Sequence, residues 1–348
     1  MTDPIKTGLA SYGMSGQVFH APFLDTDERF TLLSVLQRQG DQARQDYPQV
    51  QIERSYNELL ANKELELIVV NTPNHLHYLM AKEALEADKH VLVEKPFTTH
   101  YSEAEELIQL ARQKNKVLYG YQNRRWDSDF LTVKKIVEAD LLGNIVYYEA
   151  NWDRYRNYIK PNTWKEESRN GTGMLYDLGS HLIDQVLVLF GPPERVQGSL
   201  RTNRAQGQVV DYFDAKLFYP EREVALRGSY LAMEPRPRFL LQGVRGSFVK
   251  HGLDPQEDAL KLGRKPQGAD WGTEDPGIWG TIHRDEQGLI IRGTVQSLPG
   301  DYRGLFADLY AAIREKEEPY VKPGQVGTGI RIIEAIIASD EEKKSILL

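Results

Sequence analysis

The sequence predicts an α/β protein of two domains, the first built on a parallel sheet and the second on an open, mostly antiparallel sheet. In the first third of the chain, short strands alternate with helical patterns, and segments such as Leu65–Val70 are largely apolar. Such strands are typical of a parallel sheet that helices cover on both faces. After about residue 123, several strand-like segments follow one another without long helices between them, which indicates an antiparallel sheet.

The elements of the first domain follow from apolar runs and capping residues. Ser55 with Glu58 three residues later predicts a helix start, and Ser102 with Glu105 predicts another. The predicted strands are Ile5–Ala10, Thr31–Leu36, Leu65–Val70, His90–Glu94 and Val117–Tyr121. The predicted helices begin near Gly16 and cover Ser55–Ala61, Leu76–Ala87 and Ser102–Lys114.

The second domain is predicted to be of the α+β type. The boundary is placed where the alternation of strands and helices ends, which gives domains of residues 1–122 and 123–348. Its predicted helices are Asp129–Ala139, Leu178–Phe190, Asp301–Lys316 and Gly324–Asp340. Its predicted strands include Arg195–Arg201, Asp211–Tyr219, Glu223–Tyr230, Arg238–Gln242 and Ser247–His251. Gly252–Gly280 is rich in glycine, proline and charge and is predicted to be irregular.

Composition limits the classes of function. A length of 348 residues suits two domains, and 41% hydrophobic with 27% charged residues is typical of a globular protein. The net charge of −7 is unfavourable for a nucleic-acid partner. The chain has no cysteine, which excludes disulfides, thiolate nucleophiles and cysteine-ligated metals. No signal peptide or membrane-spanning run is seen, so we expect no membrane partner and a cytoplasmic location.

A glycine-containing turn, Ser11-Tyr12-Gly13-Met14-Ser15-Gly16, separates the first strand from the first helix. It is similar to the dinucleotide fingerprint G-x-G-x-x-G, with serine in the first position. Gly13 lacks a Cβ, so a pyrophosphate can touch the backbone there, and the helix that follows directs free N–H groups at the anion. An ordinary strand–helix turn is the alternative. The position at the first βα turn favours a Rossmann dinucleotide-binding domain.

The end of the second strand predicts the cofactor. NAD enzymes usually place an acidic residue there to bind the ribose hydroxyls, but this chain has Leu36-Gln37-Arg38-Gln39. Arg38 can pair with a 2′-phosphate and stack on adenine. We therefore predict NADP, with NAD as the alternative. A solvated loop arginine is the competing interpretation of Arg38.

Two other segments carry residues suited to oxidising a secondary alcohol, which requires a hydride acceptor and a base. His181 lies four residues after Asp177 at the start of the second-domain helix, so both side chains can share one face. A helix cap at Asp177 that pairs with His181 is the structural alternative. Lys95 follows a parallel strand, where ligands of such sheets bind, and its charge would favour a developing alkoxide. A surface lysine is the competing interpretation.

Together these motifs resemble the Gfo/Idh/MocA oxidoreductase family over nearly the whole chain and in the same order. The combination of Glu94-Lys95-Pro96 after the fourth parallel strand with Asp177-Leu178-Gly179-Ser180-His181 at a helix start is specific. Within the family, the segments 121–130 and 176–181 are most similar to bacterial NADP-dependent scyllo-inositol dehydrogenases and their uncharacterised relatives.

The resemblance implies an oxidoreductase that acts on CH–OH groups of a cyclitol or sugar. It implies that Lys95 hydrogen-bonds the reacting oxygen, that the Lys95–Pro96 bond is cis, and that His181 is the base with Asp177 as its orienter. The cofactor-binding residues are predicted to be Tyr12, Gly13, Met14, Gly16, Phe19, Arg38, Thr72, Pro73, Asn74, His77, Glu94, Lys95, Pro96 and Asn123. Arg124, Tyr155 and Trp164 are the predicted substrate neighbours, because rings pack on the C–H faces of a polyol.

Alternatives and partners complete the predictions. An aldose or keto-sugar dehydrogenase of the same family is the nearest alternative, and a non-catalytic NADP-binding regulator is another. No metal is expected, since His75 and His77 have no further ligand at a suitable spacing. A sheet with one uncovered face needs a partner to bury it, so we expect a homodimer or homotetramer.

Overall fold

The computed structural model describes residues 3–348, and the chain divides into two compact units. The first unit contains the chain up to Asn123 together with Gln256–Trp271 and Tyr302–Gly327. The second contains Arg124–Pro255, Gly272–Asp301 and Thr328–Leu348. Two late segments therefore belong to the first unit, although the predicted boundaries assign them to the second domain.

The first unit contains a parallel sheet of six strands. In chain order these are β1 Ile5–Leu9, β2 Phe30–Leu36, β3 Gln51–Glu53, β4 Leu67–Val70, β5 His90–Val93 and β6 Leu118–Gly120. The spatial order is β3-β2-β1-β4-β5-β6, so the direction of strand addition reverses between β1 and β4. All four residues of β4 are buried, as expected for a strand with helices on both faces. Ligands of such sheets bind beyond the carboxyl ends of the strands at this reversal. The predicted parallel fold is confirmed.

The helices of the first unit largely match the predicted positions. They are α1 Ala21–Thr26, α2 Gln42–Asp46, α3 Tyr56–Ala61, α4 His77–Glu86, α5 Tyr101–Gln113, α8 Gln256–Lys261 and α9 Arg303–Tyr310. The cap at Ser55 is confirmed, because Glu58 N donates to Ser55 Oγ at 3.2 Å and the Glu58 carboxylate accepts from Ser55 N. The cap predicted at Ser102 is wrong. Helix α5 already begins at Tyr101, and the Glu103 carboxylate accepts from His100 N at 3.0 Å, which places Ser102 inside the first turn.

Aromatic packing explains why late segments join the first unit. Phe306 of α9 stacks on Phe23 with ring centroids 5.0 Å apart, and Tyr310 meets Phe30 edge-on at 6.1 Å. In the segment predicted to be irregular, Trp271 Nε1 donates to the Gln256 side chain at 2.9 Å, and α8 forms. Burying large rings in this way removes much apolar surface from water, so these segments contribute to the core of the first unit.

The second unit contains a sheet of nine strands that is antiparallel except where β10 pairs with β7. These strands are β7 Ile145–Asp153, β8 Arg195–Arg201, β9 Tyr212–Phe218, β10 Glu223–Ser229, β11 Phe239–Gly243, β12 Gly246–Lys250, β13 Gly280–Glu286, β14 Leu289–Val295 and β15 Ile346–Leu347. The predicted mostly antiparallel sheet is confirmed. The hairpin of β13 and β14 was not predicted. β14 has no burial alternation, because nearly all of its residues are exposed.

The part of the chain that forms this sheet also contains the helices α6 Ser128–Glu138, α7 Ser180–Phe190 and α10 Pro323–Glu342. Helix α10 is divided between the two units. A wider helical turn, Leu175–Gly179, runs directly into α7, so the helical segment starts three residues before the predicted Leu178. Helix α7 is apolar on the side that packs on the sheet, where Phe190 meets Tyr148 at 5.5 Å. None of the helices described is long and apolar enough to cross a membrane.

Candidate active site

The glycine turn of the first unit is shaped by hydrogen bonds and by close packing. Gly13 N donates to Ser11 Oγ at 3.3 Å, so the serine at the first fingerprint position closes the turn with its side chain. A Cβ on Gly16 would lie 2.5 Å from Ser11 O, which only glycine permits. A Cβ on Gly13 would meet only Ser11 Oγ at 3.6 Å, so the backbone here is open to approach by a ligand. The turn therefore leaves its backbone accessible at Gly13.

The carboxylate of Glu94 ties this turn to the end of β5. Its Oε1 accepts from Ser15 Oγ at 2.6 Å and from His20 Nε2 at 2.9 Å, and its Oε2 accepts from Lys95 N at 3.0 Å. Burial alone would raise the pKa of Glu94, but the hydrogen bond and charge of His20, the Ser15 hydroxyl and the charge of Lys95 together lower it to about 2. The ionised carboxylate therefore holds the backbone of Lys95 against the first helix.

Residues after β4 and β5 are joined by His77. Its Nδ1 lies 2.8 Å from Pro96 O and its Nε2 lies 2.9 Å from Thr72 O, and burial lowers its pKa. His77 is fully buried, so its contribution is to hold these two loops together. The hydroxyl of Thr72 is buried without a hydrogen-bond partner in residues 3–348. The Lys95–Pro96 peptide bond is cis, as the resemblance implies.

The loop after β2 is held by Arg54, which sequence inspection missed. Arg54 Nη1 donates to Gln37 O at 2.9 Å and to Gly40 O at 2.6 Å, and its Nη2 pairs with Asp41 at 2.6 Å. Arg38 is exposed in this loop, and no carboxylate in the described part of the chain pairs with it. The loop thus presents the Arg38 cation, while the carboxylate of Asp41 in the same loop is occupied by Arg54.

The remaining predicted residues of the first unit differ in exposure. Tyr12 is buried, and its hydroxyl donates to Asp46 at 2.8 Å. Met14 is 55% exposed, whereas Asn123 is only 3% exposed. Phe19, Pro73 and Asn74 are half-buried, and Lys95 is half-buried at the strand end. Met14 is therefore open to solvent beside the glycine turn.

In the second unit, Trp152 brings two predicted residues together. Its ring lies 5.7 Å from the His181 ring and 5.0 Å from the guanidinium carbon of Arg124. Gln185 of α7 donates to Arg124 O at 3.0 Å, which fixes the backbone at the start of this unit. His181 is 3% exposed, so the imidazole is held in a protein environment. Trp152 was not predicted as a site residue, because none of the strands given bounds in the sequence analysis includes it.

Two buried ion pairs connect the elements of this unit, and Arg238 of one pair lies over Trp152. Arg125 makes two bonds to Asp184, at 2.9 and 2.7 Å, and Arg238 pairs with Asp129 at 3.2 Å. Asp184 lies three residues after His181 on α7, and its carboxylate is engaged by Arg125. Such pairs are costly to break once buried, so they fix α6 and α7 relative to the sheet of this unit.

Asp177 and the predicted substrate neighbours lie around the segment after β7. The Asp177 carboxylate pairs with Lys165 at 3.1 Å, and Lys165 Nζ lies 5.8 Å from the centre of the Trp164 ring. The neighbouring Glu166 is bound by Arg204 at 2.8 Å, which anchors this segment. Tyr155 is 51% exposed. Among residues 3–348, no group of three or more His, Asp or Glu side chains is arranged to hold a metal ion.

Both units match models of one oxidoreductase family. Residues 5–121 match its NAD-binding Rossmann fold, and residues 134–348 match its C-terminal alpha/beta domain. The chain belongs to the Gfo/Idh/MocA oxidoreductase family. As a member of this family, it is an oxidoreductase that acts on CH–OH groups and uses a nicotinamide cofactor.

Relatives of this oxidoreductase match it over essentially their whole length. It is 37% identical to scyllo-inositol 2-dehydrogenase (NADP(+)) IolW of Bacillus subtilis over 99% of this chain and 96% of that protein. It is 37% identical to the uncharacterized oxidoreductase YdgJ of Escherichia coli over 100% of both. The solved structure of the putative oxidoreductase yvaA from Bacillus subtilis superposes with a TM-score of 0.97 at 36% identity, covering 99% of each chain. A putative oxidoreductase from Bacteroides fragilis gives 0.91 at 44% identity, covering 99% of this chain and 100% of that one.

Several residues of this Gfo/Idh/MocA oxidoreductase were missed by sequence inspection. Asn71 donates to Ser11 O at 2.9 Å, and it directly follows β4, so the strand-end rule used for Lys95 could have found it. His20 and Arg54 gave no such signal. Their partners lie 74 and at most 17 positions away, and only the folded chain brings each pair together.

Proposed function

We propose that this oxidoreductase transfers a hydride between NADP(H) and a secondary alcohol or ketone of a cyclitol or sugar, with scyllo-inositol as the first candidate. The observation that carries the proposal is the position of Lys95. It lies at the strand end beside the reversal of the sheet, and Glu94 fixes its backbone to the fingerprint helix. The naming of one full-length relative as a scyllo-inositol 2-dehydrogenase supports this substrate class.

The residues of the first unit fit a nicotinamide dinucleotide. The open backbone at Gly13 and the helix start beyond it suit the diphosphate, and the Thr72 hydroxyl, buried without a partner in the described chain, is a hydrogen-bonding group that a ligand can satisfy. The other predicted cofactor-binding residues also lie in this unit, and we propose that they bind the same dinucleotide. When bound, the cofactor supplies the hydride acceptor.

The roles of the chain's own residues follow from their chemistry. His181 accepts the proton of the substrate hydroxyl as the carbonyl forms. The Lys95 ammonium donates to a substrate oxygen and stabilises negative charge on it. Asp177, held by Lys165 at 3.1 Å, orients a substrate hydroxyl and His181. Arg124 and Trp164 are the proposed substrate neighbours, together with Tyr155.

The preference for NADP rests on charge in the loop after β2. Arg38 is exposed there, and Arg54 neutralises Asp41 while fixing the carbonyls of Gln37 and Gly40. An NAD site would require a carboxylate free to accept from the ribose hydroxyls. A 2′-phosphate would instead find an available guanidinium, which can bind two of its oxygens.

One experiment tests substrate class and cofactor together. Absorbance at about 340 nm, the band of the reduced nicotinamide, is followed with inositols and aldoses plus NADP, and with keto-inositols plus NADPH. The same panel is run with NAD, and with the variant Arg38→Ala. We expect Arg38→Ala to raise the KM for NADP about 10- to 100-fold, because a charge-assisted hydrogen bond is worth about 1.5–3 kcal/mol, with little change for NAD.

The control for this experiment is Arg44→Ala, which removes an exposed arginine of the neighbouring helix α2. It should leave the ratio of the two KM values near that of the wild type. Equal kcat/KM values for NAD and NADP in the wild type would contradict the cofactor assignment. Absence of turnover with every cyclitol and sugar would contradict the substrate class.

We also propose that the oxidoreductase forms a homodimer or homotetramer in the cytoplasm. The edge strand β14 exposes Leu289 by 70%, Ile290 by 67% and Ile291 by 46%. An apolar edge with free backbone groups is a site of association with another chain. Light scattering at micromolar concentration should give a mass of at least two chains, and Ile290→Lys should reduce it. A single-chain mass for the wild type would contradict this proposal.

A further inference from the structure

Five arginines stack on two aromatic rings of the second unit. Arg124, Arg154 and Arg238 lie over Trp152 at 5.0, 5.9 and 4.6 Å from its centre, and Arg156 and Arg204 lie over Tyr230 at 5.0 and 4.9 Å. Trp152 is the residue whose ring also packs against that of His181. The three arginines over Trp152 are therefore part of the same neighbourhood as the proposed base, and Arg154 among them also acts on Tyr230.

Three of the five arginines are neutralised by buried carboxylates. The pairs are Arg124 with Asp127, Arg238 with Asp129, and Arg204 with both Glu166 and Asp211. Arg154 and Arg156 differ, because neither has an ion-pair or side-chain hydrogen-bond partner within residues 3–348, although both are half-buried. Stacking on a ring occupies the face of a guanidinium and leaves its N–H edge to bind something else.

The backbone holds these two arginines beside the end of β10. Arg154 N donates to Ser229 O at 2.8 Å and Arg156 N donates to Tyr230 O at 2.7 Å. Side chains two positions apart share one face of an extended strand. Trp152 and Arg154 share a face in this way, and Arg156 lies over Tyr230.

Both arginines lie close enough to Tyr230 to act on its hydroxyl. Burial raises the pKa of the Tyr230 hydroxyl, Asp177 raises it further, and Arg156, Arg154 and Lys165 lower it, so all four charged groups act on this one position. Lys165 is paired with Asp177 at 3.1 Å. Neither Arg154 nor Arg156 forms an ion pair with a carboxylate in the described chain.

We infer that the substrate of this oxidoreductase carries an anionic oxygen group, a carboxylate or a phosphate, which Arg154 and Arg156 bind. The inference rests on the proposed function and narrows it, since it selects anionic sugars and cyclitols, such as sugar acids and phosphates, and places them ahead of neutral scyllo-inositol as candidates. Arginine suits this task because its planar N–H edge matches both carboxylate and phosphate.

The test compares matched neutral and anionic substrates. Glucose is paired with glucuronate and with glucose 6-phosphate, and inositol with an inositol monophosphate, each with NADP. We expect kcat/KM for an anionic member to exceed that of its neutral partner by about 10- to 100-fold, as for charge-assisted hydrogen bonds. Preference for the acids or for the phosphates identifies which anion is bound. A neutral member that equals or exceeds every anionic partner overturns the inference, even if the proposed oxidation is observed.

Variants test whether a preference for anionic substrates depends on Arg154 and Arg156. Arg154→Gln with Arg156→Gln should lower the ratio of anionic to neutral kcat/KM about 10-fold or more, and Arg156→Lys should retain part of it because the charge remains. Arg201→Gln, which changes an exposed arginine at the end of β8, should keep the wild-type ratio. Thermal unfolding is measured for each variant, so that loss of folding is recognised. A double variant that folds and keeps the wild-type ratio overturns the inference.

A binding measurement distinguishes failure of this inference from failure of the proposed function. Titration calorimetry with gluconate and with glucose 6-phosphate requires no turnover. Tighter binding of either anion to the wild type than to the double variant supports the inference even if no polyol is oxidised, in which case only the proposed function fails. Equal binding, or no binding to either protein, overturns it.

Discussion

Replacing Lys95 by methionine is expected to lower kcat by roughly 100- to 1,000-fold, the effect of removing one hydrogen-bond donor from a developing oxyanion. Methionine has a similar length and no charge, so the packing at the end of β5 is largely kept. Glu94 binds the backbone N–H of residue 95 rather than its side chain, so that contact remains in the variant. Steady-state kinetics gives kcat, and a fluorescence titration with NADPH should show nearly wild-type binding.

The matched control is Lys63→Met, which changes an exposed lysine of the same unit. It should turn over at the wild-type rate. If Lys95→Met also did so, Lys95 would have no part in the reaction, and the proposal for the catalytic residues would fail. Loss of NADPH binding in Lys95→Met would instead assign Lys95 to cofactor binding alone.

Replacing His181 by asparagine should lower kcat by roughly 100- to 10,000-fold, because asparagine can hydrogen-bond but cannot accept the hydroxyl proton. The pH dependence gives a second measurement. A base is inactive when protonated, so the wild-type kcat/KM should fall as the pH is lowered, and this fall should be weakened or lost in the variant. A merely structural contribution of His181 to packing on Trp152 would not remove the acid limb of the pH profile.

The control for this variant is His283→Asn, which changes an exposed residue of strand β13. It should change neither kcat nor the pH profile. Thermal unfolding of both variants distinguishes loss of packing at position 181 from loss of chemistry. An acid limb that persists unchanged in His181→Asn would assign the proton transfer to another group.

Much of the fold could be predicted because it depends on sequence patterns that span only a few residues. The apolar run before Asn71, the capping pair Ser55 and Glu58, and the glycine turn each depend on residues a few positions apart. The order of strands and helices then follows, and the position of Lys95 at a strand end follows from that order. The error at Ser102 has the same local origin. Glu103 lies three residues after His100 and Glu105 three residues after Ser102, so both positions were possible caps. In the structure Glu103 accepts from His100 N.

The sequence by itself thus determined the two kinds of sheet, the dinucleotide turn and the family. Tertiary structure alone decided which charges are neutralised. Arg124 and Arg154 both stack on Trp152, yet only Arg124 has a carboxylate partner within the described chain. Arg238 meets Asp129 from 109 positions away, and no periodicity encodes such a meeting. Pairing of buried charges depends on which side chains converge in space, because the electrostatic interaction acts over a few ångströms irrespective of separation along the chain.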